Sequence, residues 1–295
     1  MSGEQGGATA AAAARDGGAP GYDVRRTLPL RVEAVRQFRR RRTLVAFAIL
    51  LMLPWILVGA FKIGGDPGRE GGAPGLVDVA TASGLNFALF ALFVATGFLL
   101  VVAVALFCGD TVASEAGWSS LRYLLAAPVP RGRLLRQKLA VALGYAAVAV
   151  LALPLMSLVA GTAGFGWGAV SLPTGGTFPT GQALGRMGVI IAYSLVAQLV
   201  VAALAFLLSV TTDSPLGAVG GAVGLVIVSN ILDAVTALGS WRDLLPTHWM
   251  YSWMDALQPQ IQWTGMAKGT ALSVSYSLVL FALAFRRFRT RDIVS

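Results

Sequence analysis

Six long apolar blocks, at residues 44–61, 85–108, 138–163, 187–210, 216–236 and 266–285, constrain this chain more than any other feature. Each is close to the ~20 residues that a helix needs to cross a hydrocarbon core. In lipid the backbone must satisfy its own N–H and C=O groups, so a continuous apolar block spans as a helix. A transmembrane barrel would show short segments of alternating polarity, and these blocks do not alternate. Composition agrees, with 56% hydrophobic and only 13% charged residues, against about 25% charged in a soluble domain. The expected fold class is an all-α membrane protein with six transmembrane helices. A disordered chain, a nucleic-acid module and a secreted disulfide domain are excluded, the last because Cys108 is the only cysteine.

Lysine and arginine placement predicts the orientation, because cytoplasmic loops carry the excess. With the N-terminus inside, eighteen cations fall on the cytoplasmic side and five (Lys62, Arg69, Arg186, Arg242 and Lys268) on the other. Both termini are therefore expected in the cytoplasm. The net charge of +9 becomes a topology signal with attraction to anionic membrane lipids, and nucleic acid is not an expected partner.

Four segments follow. Residues 1–27 read as a disordered leader, because their Ala- and Gly-rich sequence lacks an apolar core. In 28–42, Leu28, Val32, Val35 and Phe38 recur at helical spacing while Arg31, Arg36 and Arg40 lie elsewhere on the wheel. That favours an amphipathic helix in the cytoplasmic interface over a solvated basic flank. Residues 43–285 hold the six spans, and 286–295 form a basic cytoplasmic tail.

The connector between spans two and three, residues 109–138, is the most informative stretch. Trp118, Leu121 and Leu125 share one helical face, with Glu115 and Arg122 on another. Pro128 and Pro130 then end the helix, since neither donates a backbone hydrogen bond. The expected product is a short amphipathic helix under the membrane, joined directly to two spans.

Glu115-x-Gly117, then Leu124-Leu125-Ala126-x-Pro128-Val129, Arg131 and Lys138 resemble the signature between spans two and three of ABC type-2 exporter permeases. Trp118 departs from the pattern, which has a small hydroxyl residue there; Ser119 follows one place late. The resemblance extends to the architecture of the whole chain. It implies that the connector is a coupling helix docking on a separate ATPase, through Glu115, Gly117, Trp118, Leu121, Arg122, Pro128 and Arg131. It further implies a 2+2 assembly with a second copy or a homologous permease, a bacterial cell membrane, and re-entrant helices before span six. Spans two and five would line the path, which favours Asn86, Thr96, Ser229 and Asn230.

The residues are consistent with an external motor. A phosphate-cradling P-loop needs a Gly-Lys-[Ser/Thr] step, but Lys62, Lys138 and Lys268 follow Phe61, Gln137 and Ala267. No cofactor is expected in this chain, and ATP with Mg would sit on the partner. A serine hydrolase is disfavoured, because Ser119 and Ser120 fall on the side opposite His248. An ion-gradient carrier is the alternative, and no span carries a charge near its middle.

Residues 237–265 carry Trp241, Trp249, Trp253 and Trp263. These read either as an aromatic belt at the headgroup level or as helices dipping into the outer leaflet. Thr247 is placed to cap a short helix sharing Trp249, Trp253 and Leu257 on one face. His248, the lone histidine, has a hydrogen-bonding role rather than a metal-binding one, because no second histidine or cysteine is near. Gly217, Gly220, Gly221 and Gly224 form overlapping small-xxx-small patterns, for packing within the subunit or at a dimer seam. Gln198 reads as an interhelical hydrogen-bonding residue. The cargo inferred from the apolar path is lipophilic or amphipathic.

Overall fold

The computed structural model describes residues 30–64, 76, 79–117, 131–172 and 175–290. The leader, residues 28–29 of the expected interfacial helix, residues 118–130 of the connector with Trp118, Leu121, Arg122 and Pro128, and residues 291–295 lie outside them. The elements are α1 (Leu30–Phe38), α2 (Arg41–Gly64), α3 (Gly84–Thr96), α4 (Leu99–Gly117) and α5 (Arg131–Phe165). A short hairpin follows, β1 (Val170–Ser171) with β2 (Thr177–Phe178), then α6 (Thr180–Ala197), α7 (Leu199–Thr211), α8 (Pro215–Ala234) and α9 (Trp263–Thr290).

Among the described residues, five helices are long and apolar enough to cross a membrane, with α6 and α7 running on as one. The pair α3 and α4, bent by 58°, makes a sixth if counted as one span. Every expected block thus lies in a helix, and the differences lie at ends and bends. The interfacial helix stops at Phe38, so Arg41 and Arg42 already belong to the first span. The third span starts at Arg131, and the sixth runs to Thr290, taking in the first half of the expected tail.

The second span is where a straight reading of the sequence misses most. It breaks at Gly97, and there Thr96 Oγ1 turns back onto the Leu92 carbonyl at 2.6 Å. The carbonyl of Thr96 accepts from Gln198 Nε2 at 3.3 Å instead. A buried backbone group released by a helix break needs such a substitute partner. The Tyr251 hydroxyl approaches Gly97 so closely that a Cβ would collide with it.

Lipid is as apolar as leucine, so helices in a membrane associate through close packing rather than through hydrophobic driving force. Small residues supply it here. A Cβ on Gly84 would come within 2.6 Å of the Thr162 backbone nitrogen, and one on Gly161 within 2.7 Å of Phe87. Alanines continue the seams, with Ala142, Ala146 and Ala149 buried on α5 and Ala202, Ala203 and Ala205 on α7. Helices α4 and α7 form the centre, where α4 also meets α5 and α8 and α7 also meets α9. Burial separates the roles: 61% of the α6–α7 window is covered, against 17% for α2 and 22% for α8.

Side-chain contacts gather α1, the start of α2, the end of α4 and the start of α5 at one end of the bundle, with the end of α9 beside Gly132. The hairpin and the turns of 236–262 close the opposite end. The segment 236–262 is 3-10 structure (Thr236–Leu244 and Ser252–Leu257) joined by turns. The helix expected after Thr247 does not form: Thr247 Oγ1 is held by Ser229 Oγ at 2.8 Å instead of capping. Nor do the tryptophans form one belt. Trp241 and Trp263 are exposed, while Trp253 is fully buried in the core.

Candidate functional site

Helix α1 is amphipathic with its polar face turned inward. Leu30, Val32, Val35 and Phe38 are exposed, while Glu33 and Gln37 are buried. On a soluble protein this would be upside down; at a membrane interface the apolar stripe faces lipid. Gln37 Nε2 donates to the Phe107 carbonyl at 3.1 Å, and the Tyr145 hydroxyl donates to that of Ala34 at 2.8 Å. The helix is therefore bolted to the end of α4 and to α5.

Its buried carboxylate enters a cluster of charges. Lys138, only 1% exposed, places Nζ 2.6 Å from Glu115 Oε1 and 3.2 Å from Glu33 Oε1. Arg36 bridges the same two acids, at 2.7 Å from Glu33 and in direct contact with Glu115. One turn further along α4, Asp110 receives Arg40 at 2.6 Å and Arg42 at 2.8 Å. Arg40 also donates to Ser114 Oγ at 2.8 Å. Burial by itself would raise the Glu33 carboxyl, but the charges of Lys138 and Arg36 and their hydrogen bonds outweigh it and hold Glu33 below its ordinary value. Burial would likewise lower Arg36, and Glu115 with Glu33 reverse that and raise it. Beside these residues lies a cavity of about 500 Å³ lined by Arg36, Arg40, Arg41, Arg42, Asp110 and Glu115.

Glu115 and Lys138 are the first and last residues of the connector signature, and they form a salt bridge. The two ends of that signature are thus tied together, α4 to α5. Just beyond, Ser209 Oγ of α7 accepts from the backbone N–H groups of Val112 and Ala113, both at 3.0 Å, fixing the end of α4 to the core. Of the other connector residues, Gly117 ends α4 and Arg131 begins α5.

The four path candidates do not converge. Asn86, at the far end of α3, exchanges hydrogen bonds with Ser171, Nδ2 to the carbonyl at 2.7 Å and Oδ1 from the amide at 2.9 Å. Its side chain thereby extends the hairpin like a strand residue. Thr96 is buried at the α3–α4 break. Ser229 lines a cavity of about 280 Å³ between α7, α8 and the turns of 236–262, with Leu204, Val226 and Met250. Asn230 is exposed on the same helix. Gln198 makes an interhelical hydrogen bond, to Thr96. On α8, a Cβ at Gly220 or Gly224 would meet nothing within 4 Å, whereas one at Gly221 would lie 3.1 Å from Leu208. Gly221 serves packing within the chain, and Gly220 and Gly224 face open space.

Two polar constellations lie at the far end: the first, around Arg186, was not expected from the sequence, and the second gives His248 the hydrogen bond expected of it. Arg186, 6% exposed, donates to the carbonyls of Ala256, at 2.7 Å, Pro259, at 2.9 Å, and Gln258, and stacks on Phe178 at 4.0 Å. It clasps the segment 256–259 without a carboxylate. His248 Nδ1 lies 2.5 Å from Asp233 Oδ1, which also faces Arg242 at 3.4 Å, so the end of α8 is tied to the turns above it. The Arg186 clasp was not legible, because carbonyl acceptors carry no side-chain signal. Glu33 was the more visible omission: it is a lone acid on the polar side of an otherwise basic helix.

Fold and composition together define a multi-pass α-helical membrane protein. Residues 75–294 match the model of the family described as Protein of unknown function (DUF2705), and the chain belongs to that family. A search of curated proteins finds no match.

Proposed function

We propose that this chain is the membrane-spanning permease subunit of an ATP-driven ABC exporter. The observation that carries the reading is the connector: its sequence resembles the coupling segment of ABC type-2 permeases, and its terminal residues Glu115 and Lys138 meet at 2.6 Å. A segment clamped at its base moves as a unit, so a push on it is delivered to α4 and α5 together. In this reading Trp118, Leu121 and Arg122 contact a separate ATPase that binds ATP and Mg, with Pro128 and Arg131 holding the turn at the membrane. Glu115 acts one layer deeper, as a residue that positions the connector. Both termini lie in the cytoplasm of a bacterial cell. The open Gly220/Gly224 face of α8 receives a second permease. The cavity beside Ser229, apolar apart from Ser229 and Thr247, accepts part of a lipophilic or amphipathic cargo, and the segment before α9 closes the outer exit.

The test is co-purification and transport. An ATPase of nucleotide-binding-domain size is expected to copurify in mild detergent, and vesicles holding both subunits are expected to export cargo only with ATP. Leu121→Arg is expected to abolish export while leaving membrane insertion intact. Glu115→Ala alone does not isolate coupling, because it also removes a partner of buried Lys138. Transport by the bare chain driven by an ion gradient would overturn the proposal.

A further inference from the structure

We propose that the cavity at the α1–α2 elbow is a binding site for the phosphate headgroup of an anionic membrane lipid. Five cations meet three carboxylates there: Arg36, Arg40, Arg41, Arg42 and Lys138 against Glu33, Asp110 and Glu115. Asp110 is already shared between Arg40 and Arg42, and Glu115 between Arg36 and Lys138. Arg41 lines the cavity, is exposed, and forms no ion pair among the described residues. Arg36 Nε is buried with no acceptor among them. The site therefore holds surplus positive charge and an unused guanidinium donor, and guanidinium geometry suits phosphate oxygens.

The surroundings select a lipid over a water-borne anion. Val35 and Phe38 precede the arginines, and Leu44 and Val45 follow them, exposed by 45%, 51%, 45% and 56% respectively. An occupant with a charged head and apolar chains matches that sequence of surfaces, its chains lying along α2. About 500 Å³ is within the ~300–1,000 Å³ range of small-molecule sites. Basic pockets between membrane helices are a known kind of site for anionic lipid headgroups. Its consequence is structural: a bound phosphate ties α1 and α2 to α4 at the foot of the connector. The inference requires only that the chain is membrane-embedded, and it stands or falls independently of the transport reading.

The experiment uses the full chain in neutral detergent, titrated with dioctanoyl phosphatidylglycerol, dioctanoyl phosphatidylcholine, glycerol 1-phosphate or polyglutamate at constant ionic strength. Native mass spectrometry and melting temperature are read together. One phosphatidylglycerol per chain is expected, bound at least about tenfold more tightly than phosphatidylcholine. Each near-surface arginine is worth about fivefold, so Arg41→Ala weakens binding by that factor and Arg41→Ala/Arg42→Ala by about 25-fold. Arg41→Ala removes no ion pair and tests the site without disturbing the cluster. Arg286→Ala/Arg289→Ala, an equal loss of charge elsewhere at the same end, is expected to leave affinity unchanged. Equal binding of the two lipids, or equal losses in the two double variants, would overturn the site. Glycerol 1-phosphate binding as tightly as the lipid, or displacement of the lipid by low concentrations of polyglutamate, would overturn the lipid as its occupant.

Discussion

Replacing Lys138 by methionine removes the cation at the centre of the buried cluster while nearly conserving side-chain volume. At an effective dielectric near 20, its attraction to Glu115 at 2.6 Å and Glu33 at 3.2 Å is on the order of 6 and 5 kcal/mol. Desolvation of several kcal/mol per ion cancels most of that gain, so the intact cluster contributes little net stability. Removing one member is different. Glu33 and Glu115 remain buried with Arg36 between them and Arg40 a more distant 4.0 Å from Glu115, and breaking a buried pair in this way costs about 3–5 kcal/mol. Lys138→Met is therefore expected to lose about 3–5 kcal/mol. The measurement is denaturant unfolding of the full chain in micelles, followed by tryptophan fluorescence. Adding Glu33→Gln neutralises one stranded carboxylate and leaves Arg36 paired with Glu115, so the double variant is expected to recover about 1–2 kcal/mol. A Lys138→Met protein within about 0.5 kcal/mol of wild type, the usual range for surface changes, would refute the burial of this cluster.

Acid acts on the same cluster. Glu33 titrates below its reference value of 4.5 in the folded chain, so its contribution is complete above that value. It is lost as pH falls through the lower folded value, and hydrogen exchange in residues 30–38 should rise there in wild type but much less in Glu33→Gln. Arg186→Met removes the donor shared by three carbonyls, of which only that of Ala256 is on a buried residue, and is expected to cost about 1–3 kcal/mol, seen as faster exchange at 256–259 with the α4–α7 core protected. Unchanged exchange there would refute the clasp. Gly220→Ala/Gly224→Ala, at positions where an added Cβ meets nothing within 4 Å in the chain, is expected to weaken self-association without destabilising the monomer. An undiminished dimer would remove α8 from the seam.

How far the architecture could be read depended on whether its cause was local. Spans are local: the blocks at 44–61 and 216–236 are apolar over a membrane's thickness, and a helix needs nothing else to satisfy its backbone there. The amphipathic helix α1 was legible for the same reason, since the stripe of Val32, Val35 and Phe38 belongs to one short segment. The bend at Gly97 was not. It depends on Gln198, a hundred residues away in sequence, accepting the role of partner for the Thr96 carbonyl, and on Tyr251 filling the space beside the glycine. Thr247 failed as a cap because Ser229 offered its hydroxyl a tertiary partner.

By itself, then, the sequence determined that the chain is a multi-span helical membrane protein, where its spans lie, and which segment joins the second to the third. These follow from the free energy of placing residues in lipid or water, which acts on each segment separately. Tertiary structure alone decided that Glu33, Arg36, Glu115 and Lys138 share one buried cluster and that Arg186 grips carbonyls rather than an acid. It also decided that Gly221 is filled while Gly220 and Gly224 stay open. Charges buried at close range are stable only as a balanced set. That balance is assembled from residues scattered along the chain, and no single segment carries it.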